Sequence, residues 1–180
     1  MKKRILFMLS VIIAGLISCN EHPEVQGDRG YHVAVGDTVQ DISLTLTDGS
    51  NILLSDLRGK VVVLQFTASW CSVCRKEMPF LEEEVWQKYK DEDFVLIGVD
   101  YDEPLEKVID FTKQMKTTYP MALDPGAEIF GKFAYKKSGV TRNVVIDKEG
   151  KIAYLTRLFD REEFDNMKDK IDELIHYQKP

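Results

Sequence analysis

Val61 to Phe66 (VVVLQF) is an almost unbroken apolar run, and just beyond it stand two cysteines in the order Trp70-Cys71-Ser72-Val73-Cys74. A run of that length with a single Gln fits a central strand buried on both faces. The segment that follows, Arg75 to Lys90, reads as a helix with a kink at Pro79. A buried strand that passes into a helix through a C-x-x-C pair leaves few folds open. Two cysteines separated by two residues at a helix N-terminus can close a disulfide with little backbone movement. Cys71 then lies where free backbone N–H groups meet the positive end of the helix dipole, and both favour thiolate over thiol. Cys74, one turn further in, is expected to be more buried and to act as the resolving thiol.

The rest of the chain extends this pattern. Ile42, Leu44 and Leu46 alternate with polar residues, Thr47-Asp48-Gly49-Ser50 supplies a turn, and Ile52-Leu53-Leu54 follows, which predicts a β-hairpin. Ser55 to Gly59 reads as a short helical turn. Phe94 to Val99 (FVLIGV) is a second buried strand. Leu105, Val108, Ile109, Phe111 and Met115 fall at helical spacing, and Ala127 to Phe133 forms a short helical segment. Val144-Val145-Ile146 is a third apolar strand, and Lys151 to Arg157 alternates as an edge strand. Phe164, Met167, Ile171, Leu174 and Ile175 make an amphipathic C-terminal helix. Strands that alternate with helices imply an α/β protein with a parallel core, to which the last two strands add an antiparallel edge.

Composition narrows the function classes. With 24 Lys+Arg against 30 Asp+Glu the net charge is −6, which argues against a general nucleic-acid binder. At 44% apolar the chain can build a core. A zinc site is disfavoured because the only histidines, His22, His32 and His176, have no metal spacing to the cysteine pair. A purely structural disulfide would close so short a loop that it constrains the unfolded chain little. No metal or other cofactor is therefore expected.

The third cysteine, Cys19, belongs to a different feature. Lys2, Lys3 and Arg4 precede an apolar run from Ile5 to Ile17, too short to span a bilayer but suited to a signal peptide. The run ends in Leu16-Ile17-Ser18-Cys19, which resembles a bacterial lipobox. The expected organisation is a lipoprotein signal peptide over 1–18, a lipidated Cys19, a flexible tether over 19–33 and one domain over 34–180. The alternative is a secreted protein cut nearby, with Cys19 a free thiol.

The stretches DGSNILLSDLRGKVVVLQFTASWCSVCRKEMPFL and GVTRNVVIDKEGKI resemble the TlpA/ResA-like branch of the thioredoxin superfamily. The likeness extends over most of residues 35–180. It implies a thioredoxin fold with an N-terminal β-hairpin and a central mixed sheet flanked by helices. It also implies membrane-tethered thiol–disulfide exchange through the redox-active pair Cys71 and Cys74. Protein thiols and disulfides are the implied clients, a membrane thiol-electron donor the implied partner, and apocytochrome c cysteines one implied target. Glu77 matches the family's active-site glutamate, and a partly buried carboxylate there is positioned to move a proton for Cys74; the plain alternative is a solvated helix-face charge. Gln65 stands where ordinary thioredoxins carry a buried aspartate. Trp70 matches an aromatic that shapes the contact surface. The implied location is extracytoplasmic, on the periplasmic face of the outer or inner membrane, and Asn20 after Cys19 favours the outer one.

Two positions depart from the family. Thr141 stands where relatives usually have a cis-proline facing the disulfide. A non-proline cis bond costs about 2.5–4 kcal/mol, so the loop is expected to be trans and differently shaped for substrate. Arg142 resembles an arginine of redoxin and peroxiredoxin relatives, which implies electrostatic support for the Cys71 thiolate; the plain alternative is a surface arginine at a strand start. Two other functions stay open. A thiol peroxidase would need Pro-x-x-x-Thr-x-x-Cys, whereas Leu64 and Ala68 occupy those positions. A redox-silent thioredoxin-fold binding lipoprotein would use the same fold without the chemistry; the metal-delivering relatives carry C-x-x-x-C, which is absent from this sequence.

Overall fold

The computed structural model describes residues 29–177. The signal peptide, Cys19 and most of the expected tether lie outside the described residues. Seven strands form one mixed sheet: β1 (Ser43–Leu46), β2 (Asn51–Leu53), β3 (Val61–Thr67), β4 (Phe94–Tyr101), β5 (Met121–Asp124), β6 (Arg142–Ile146) and β7 (Ile152–Leu155). Their spatial order is β2-β1-β5-β4-β3-β6-β7. β3, β4 and β5 run parallel. The β1–β2 hairpin joins β5 antiparallel on one side, and β6 and β7 extend the other side antiparallel. The helices are α1 (Ser72–Phe80), a single turn α2 (Gln87–Tyr89), α3 (Leu105–Met115) and α4 (Arg161–His176). Among the described residues no helix is long and apolar enough to cross a membrane.

The period-2 alternation of β3 divides the core. Val61 and Val63 point to the face covered by Met78 and Leu81 of the α1 region, Val108 and Phe111 of α3, and Phe164, Met167 and Ile171 of α4. Val62, Leu64 and Phe66 point to the other face, where Leu54, Ile129, Phe130 and Phe133 pack together with both cysteines. Short 3-10 turns at Leu54–Leu57, Pro125–Ala127 and Phe130–Lys132 cover this second face. Asp124 holds the last of those turns in place: its buried carboxylate accepts from Ile129 N (2.7 Å) and Phe130 N (2.8 Å) at its start.

Three sequence expectations are adjusted. The strand β5 was not foreseen; it is only four residues long and is fixed by its neighbours, with Gly98 to Tyr101 of β4 beside it. The helix after the cysteines starts at Ser72, and beyond Pro79 it passes into a π-helical segment, Leu81–Trp86. Proline lacks the N–H for the i→i−4 bond, so the wider turns follow where the ladder is interrupted. Finally, the end of the expected tether belongs to the body. Arg29 is ion-paired with Glu163, Tyr31 bridges Ala134, and His32 N bonds to Phe133 O at 3.0 Å.

Candidate active site

β3 delivers the chain to Ala68, and Cys71 then serves as the N-cap of α1, its Sγ accepting from Cys74 N at 3.2 Å. Cys71 and Cys74 are joined as a disulfide with Cα atoms 5.3 Å apart. Cys74 is closed to solvent and Cys71 is 9% exposed, so the first cysteine is the one at the surface. Trp70 beside it is 61% exposed and meets Tyr101 edge-on at 6.3 Å. Ser69 fixes the approach: Glu103 accepts from its backbone N (2.5 Å) and hydroxyl (2.8 Å), and Arg75 Nε donates to its carbonyl (2.8 Å).

Thr141 faces the disulfide at the position expected from sequence. Its hydroxyl lies 3.1 Å from Cys71 Sγ and 3.2 Å from Cys74 Sγ. The peptide bond before it is trans, as are all others among the described residues. A hydroxyl between two sulfurs is a donor to whichever one carries negative charge.

Glu77 lies one turn beyond Cys74 and is 1% exposed, so it is not a solvated helix-face charge. Asn143 Nδ2 donates to its carboxylate at 2.7 Å and Gln65 Nε2 at 3.4 Å. Gln65 in turn accepts from Tyr119 OH (2.8 Å), and Asn143 Nδ2 also donates to Thr156 Oγ1 (2.9 Å). Burial pushes the Glu77 carboxyl up from 4.5 to about 7, against the downward pull of the Asn143 and Gln65 amides. The group can therefore hold or release a proton near neutral pH. Gln65 occupies its predicted place and takes no proton itself; it orients Glu77.

Arg142 is neither on the surface nor bonded to a sulfur. It is fully buried; Nε donates to Gly139 O (3.2 Å) and Nη2 to Ser138 O (3.2 Å) and Ser138 Oγ (2.8 Å). The guanidinium stacks 4.3 Å from the Tyr31 ring. Its contacts hold the loop that presents Thr141.

Sequence reasoning missed Asn143, which donates to Glu77 from β6, and Tyr119 and Thr156, which hold Gln65 and Asn143 in turn. It also missed Asp100 at the end of β4, paired in register with Thr67. Burial first, and then the charge of Glu103, pushes Asp100 up from 3.8 to about 7. The Asp100-Tyr101-Asp102-Glu103 run was the available signal.

Comparison with known proteins follows the same lines. A family model described as Redoxin matches residues 34–173. The chain is similar to the thiol-disulfide oxidoreductase ResA of Bacillus cereus, with 33% identity over 153 residues, covering 84% of this chain and 86% of that protein. It is similar to the solution structure of a proposed protein disulfide isomerase from Bacteroides thetaiotaomicron, with 57% identity and a TM-score of 0.80, over 82% of this chain and 94% of that one. A proposed thiol:disulfide interchange protein DsbE from Chlorobium tepidum is 27% identical, with a TM-score of 0.69, over 79% and 99%.

Proposed function

The chain belongs to the redoxin family of thioredoxin-fold proteins and is a protein-disulfide oxidoreductase, and on that premise we propose that it is a lipid-anchored, extracytoplasmic reductant of protein disulfides. The observation that carries the chemistry is the Cys71–Cys74 disulfide at the start of α1, with only Cys71 at the surface and the Thr141 hydroxyl on both sulfurs. In the reduced protein the Cys71 thiolate attacks one sulfur of a client disulfide. A Cys71–client bond forms and the client S–S bond breaks. Its electron pair leaves on the other client sulfur, which takes a proton from water. Cys74 then gives its proton to Glu77 and attacks Cys71 Sγ. The mixed disulfide breaks, the second client thiolate leaves and is protonated, and the intramolecular disulfide forms. The client gains two electrons and two protons; a membrane thiol-electron donor returns them to the protein.

Within this reading each further residue has a task. The helix N-terminus and the Thr141 hydroxyl favour the Cys71 thiolate. Glu77 serves as proton acceptor and donor for Cys74. Trp70 and the Thr141 loop meet the client backbone, and Arg142 braces that loop. Cys19 carries the lipid, which holds the domain on the periplasmic face of the outer or inner membrane, and the resemblance to the TlpA/ResA-like branch supports apocytochrome c among its clients.

Insulin disulfide reduction with dithiothreitol as electron source tests the core of this reading. Wild type should accelerate precipitation of the insulin B chain, and Cys71→Ser should abolish the acceleration. Equal rates would remove the oxidoreductase mechanism from this cysteine. Labelled palmitate incorporation, lost in Cys19→Ala, tests the anchor.

A further inference from the structure

Beside the Thr141 loop three guanidiniums gather, those of Arg29, Arg142 and Arg157. The charges of Arg29 and Arg157 both bear on Arg142, and burial lowers the proton affinity of Arg142 and Arg157. Among the described residues one carboxylate is ion-paired here: Glu163 pairs with the Arg29 guanidinium, and it also accepts from the backbone N–H of Arg157 at 3.2 Å. Tyr31, whose ring faces Arg142, is pushed up by burial and stays a neutral phenol. Among the described residues, Nη1 of Arg142 and Nη1 of Arg157 are closed to water and have no hydrogen-bond partner. Positive charge is thus in excess here, although the chain as a whole is −6.

That excess borders a cavity of about 560 Å³ lined by Arg29, Tyr135, Lys137, Ser138, Arg157 and Leu158. Lys137 adds a further cation at the rim. Tyr135 and Leu158 supply exposed apolar surface. The cavity is joined to the redox centre by short bonds. Leu158 N donates to Thr141 O at 3.0 Å, and Leu158 does so from a left-handed conformation (φ 67°) that a leucine rarely adopts. Arg157 Nη2 donates to Ser138 O at 2.6 Å. Gly139, at φ 89°, lets that guanidinium approach: a Cβ there would stand 2.6 Å from Arg157 Nη2. The same loop ends in Thr141, whose hydroxyl touches both sulfurs.

We propose that this cavity is a client subsite that takes the carboxylate of an acidic side chain close in sequence to the cysteine being reduced. It rests on the reading of the protein as a reductant of protein disulfides and adds a preference among clients. Partly buried cations in a recess focus their field on an anion more strongly than scattered surface lysines do. The bonds to Ser138 and Thr141 put the recess beside the residues that meet the client, which favours a protein anion over a lipid headgroup.

Binding tests the subsite without relying on turnover. The probes are two fluorescent peptides in which Ser replaces the reacting cysteine, flanked on both sides by Glu in one and by Gln in the other. Anisotropy with the oxidised full chain should show the Glu peptide binding about tenfold more tightly, the size expected of one charge-assisted hydrogen bond. The ratio should shrink at high salt. It should fall toward one in Lys137→Gln, an exposed position whose substitution leaves the fold intact, and in Arg157→Gln. Equal affinities in wild type would overturn the proposal, as would a preference that survives both substitutions. Vesicles containing phosphatidylglycerol form a third arm. Vesicle binding that drops in these variants while the peptide ratio stays at one would give the patch to the membrane and also overturn it. If Cys71→Ser leaves insulin reduction unchanged while the peptide ratio holds, the reductant reading fails and the subsite stands as an anion-binding site.

Discussion

Replacing Glu77 by Gln should change the stability of the oxidised protein in a pH-dependent way, from a small loss in acid to a gain near neutrality. The wild-type carboxyl is 1% exposed, and burial raises it from 4.5 to about 7. Below pH 4.5 both the folded and the unfolded chain hold this proton, and the carboxyl makes no pH-dependent contribution. Between 4.5 and about 7 the unfolded chain has released the proton while the folded chain keeps it. Stability then falls with rising pH by about 1.4 kcal/mol per unit, or about 3 kcal/mol across the interval. Above that both states are ionised and the penalty is constant. Glutamine never ionises and escapes the penalty. Its amide sets a donor against Gln65 Nε2 or Asn143 Nδ2, which adds a fixed destabilisation of about 1 kcal/mol at every pH. Asp100 also lies near 7 and has the same effect in both proteins, so it cancels in the difference. Urea unfolding at a series of pH values from 4 to 8 measures this. The stability of the variant relative to wild type should climb by about 3 kcal/mol between pH 4.5 and 7 and then level off. A difference that stays flat with pH would refute the assignment of a buried, ionisable carboxyl at the centre of the site.

Other perturbations reach separate parts of the account. Thr141→Val removes the hydroxyl that lies 3.1 and 3.2 Å from the sulfurs; the thiolate of reduced Cys71 should then become harder to form by about one pH unit, read from thiolate absorbance at 240 nm, and an unchanged titration would remove the hydroxyl from the mechanism. Asp124→Ala leaves Ile129 N and Phe130 N without their acceptor in a buried turn and should lose about 2–4 kcal/mol in urea unfolding; a loss below about 1 kcal/mol would show that the carboxylate does not hold this turn.

What could be read from the sequence was whatever a local pattern encodes. β3, β4 and β6 announce themselves as apolar runs, and α4 as a 3.6-residue stripe. The C-x-x-C pair, its position at a helix start and the burial of Cys74 relative to Cys71 follow from spacing alone. β5 escaped because Met121–Asp124 is short and takes its identity from the strands beside it. Arg29 to Val33 read as tether because they are polar, yet Arg29 finds Glu163 and His32 finds Phe133 across more than one hundred residues. Glu77 was visible as a position, but its burial was not. The groups that make burial tolerable, Asn143, Gln65 and, behind Gln65, Tyr119, arrive from three different stretches of chain. Arg142 misled for the same reason: a charged residue at a strand start suggests the surface, and only the fold supplies the loop carbonyls and the Tyr31 ring that let it be buried.

The central claim is that Cys71 attacks and Cys74 resolves. Trapping in cells with Cys74→Ser tests it most directly, because a mixed disulfide formed at Cys71 then has no internal thiol to release it. The account predicts dithiothreitol-sensitive adducts joined to Cys71, identified by mass spectrometry and absent from the Cys71→Ser, Cys74→Ser double variant. Adducts that persist in the double variant, or that accumulate instead on Cys74 in Cys71→Ser, would contradict it.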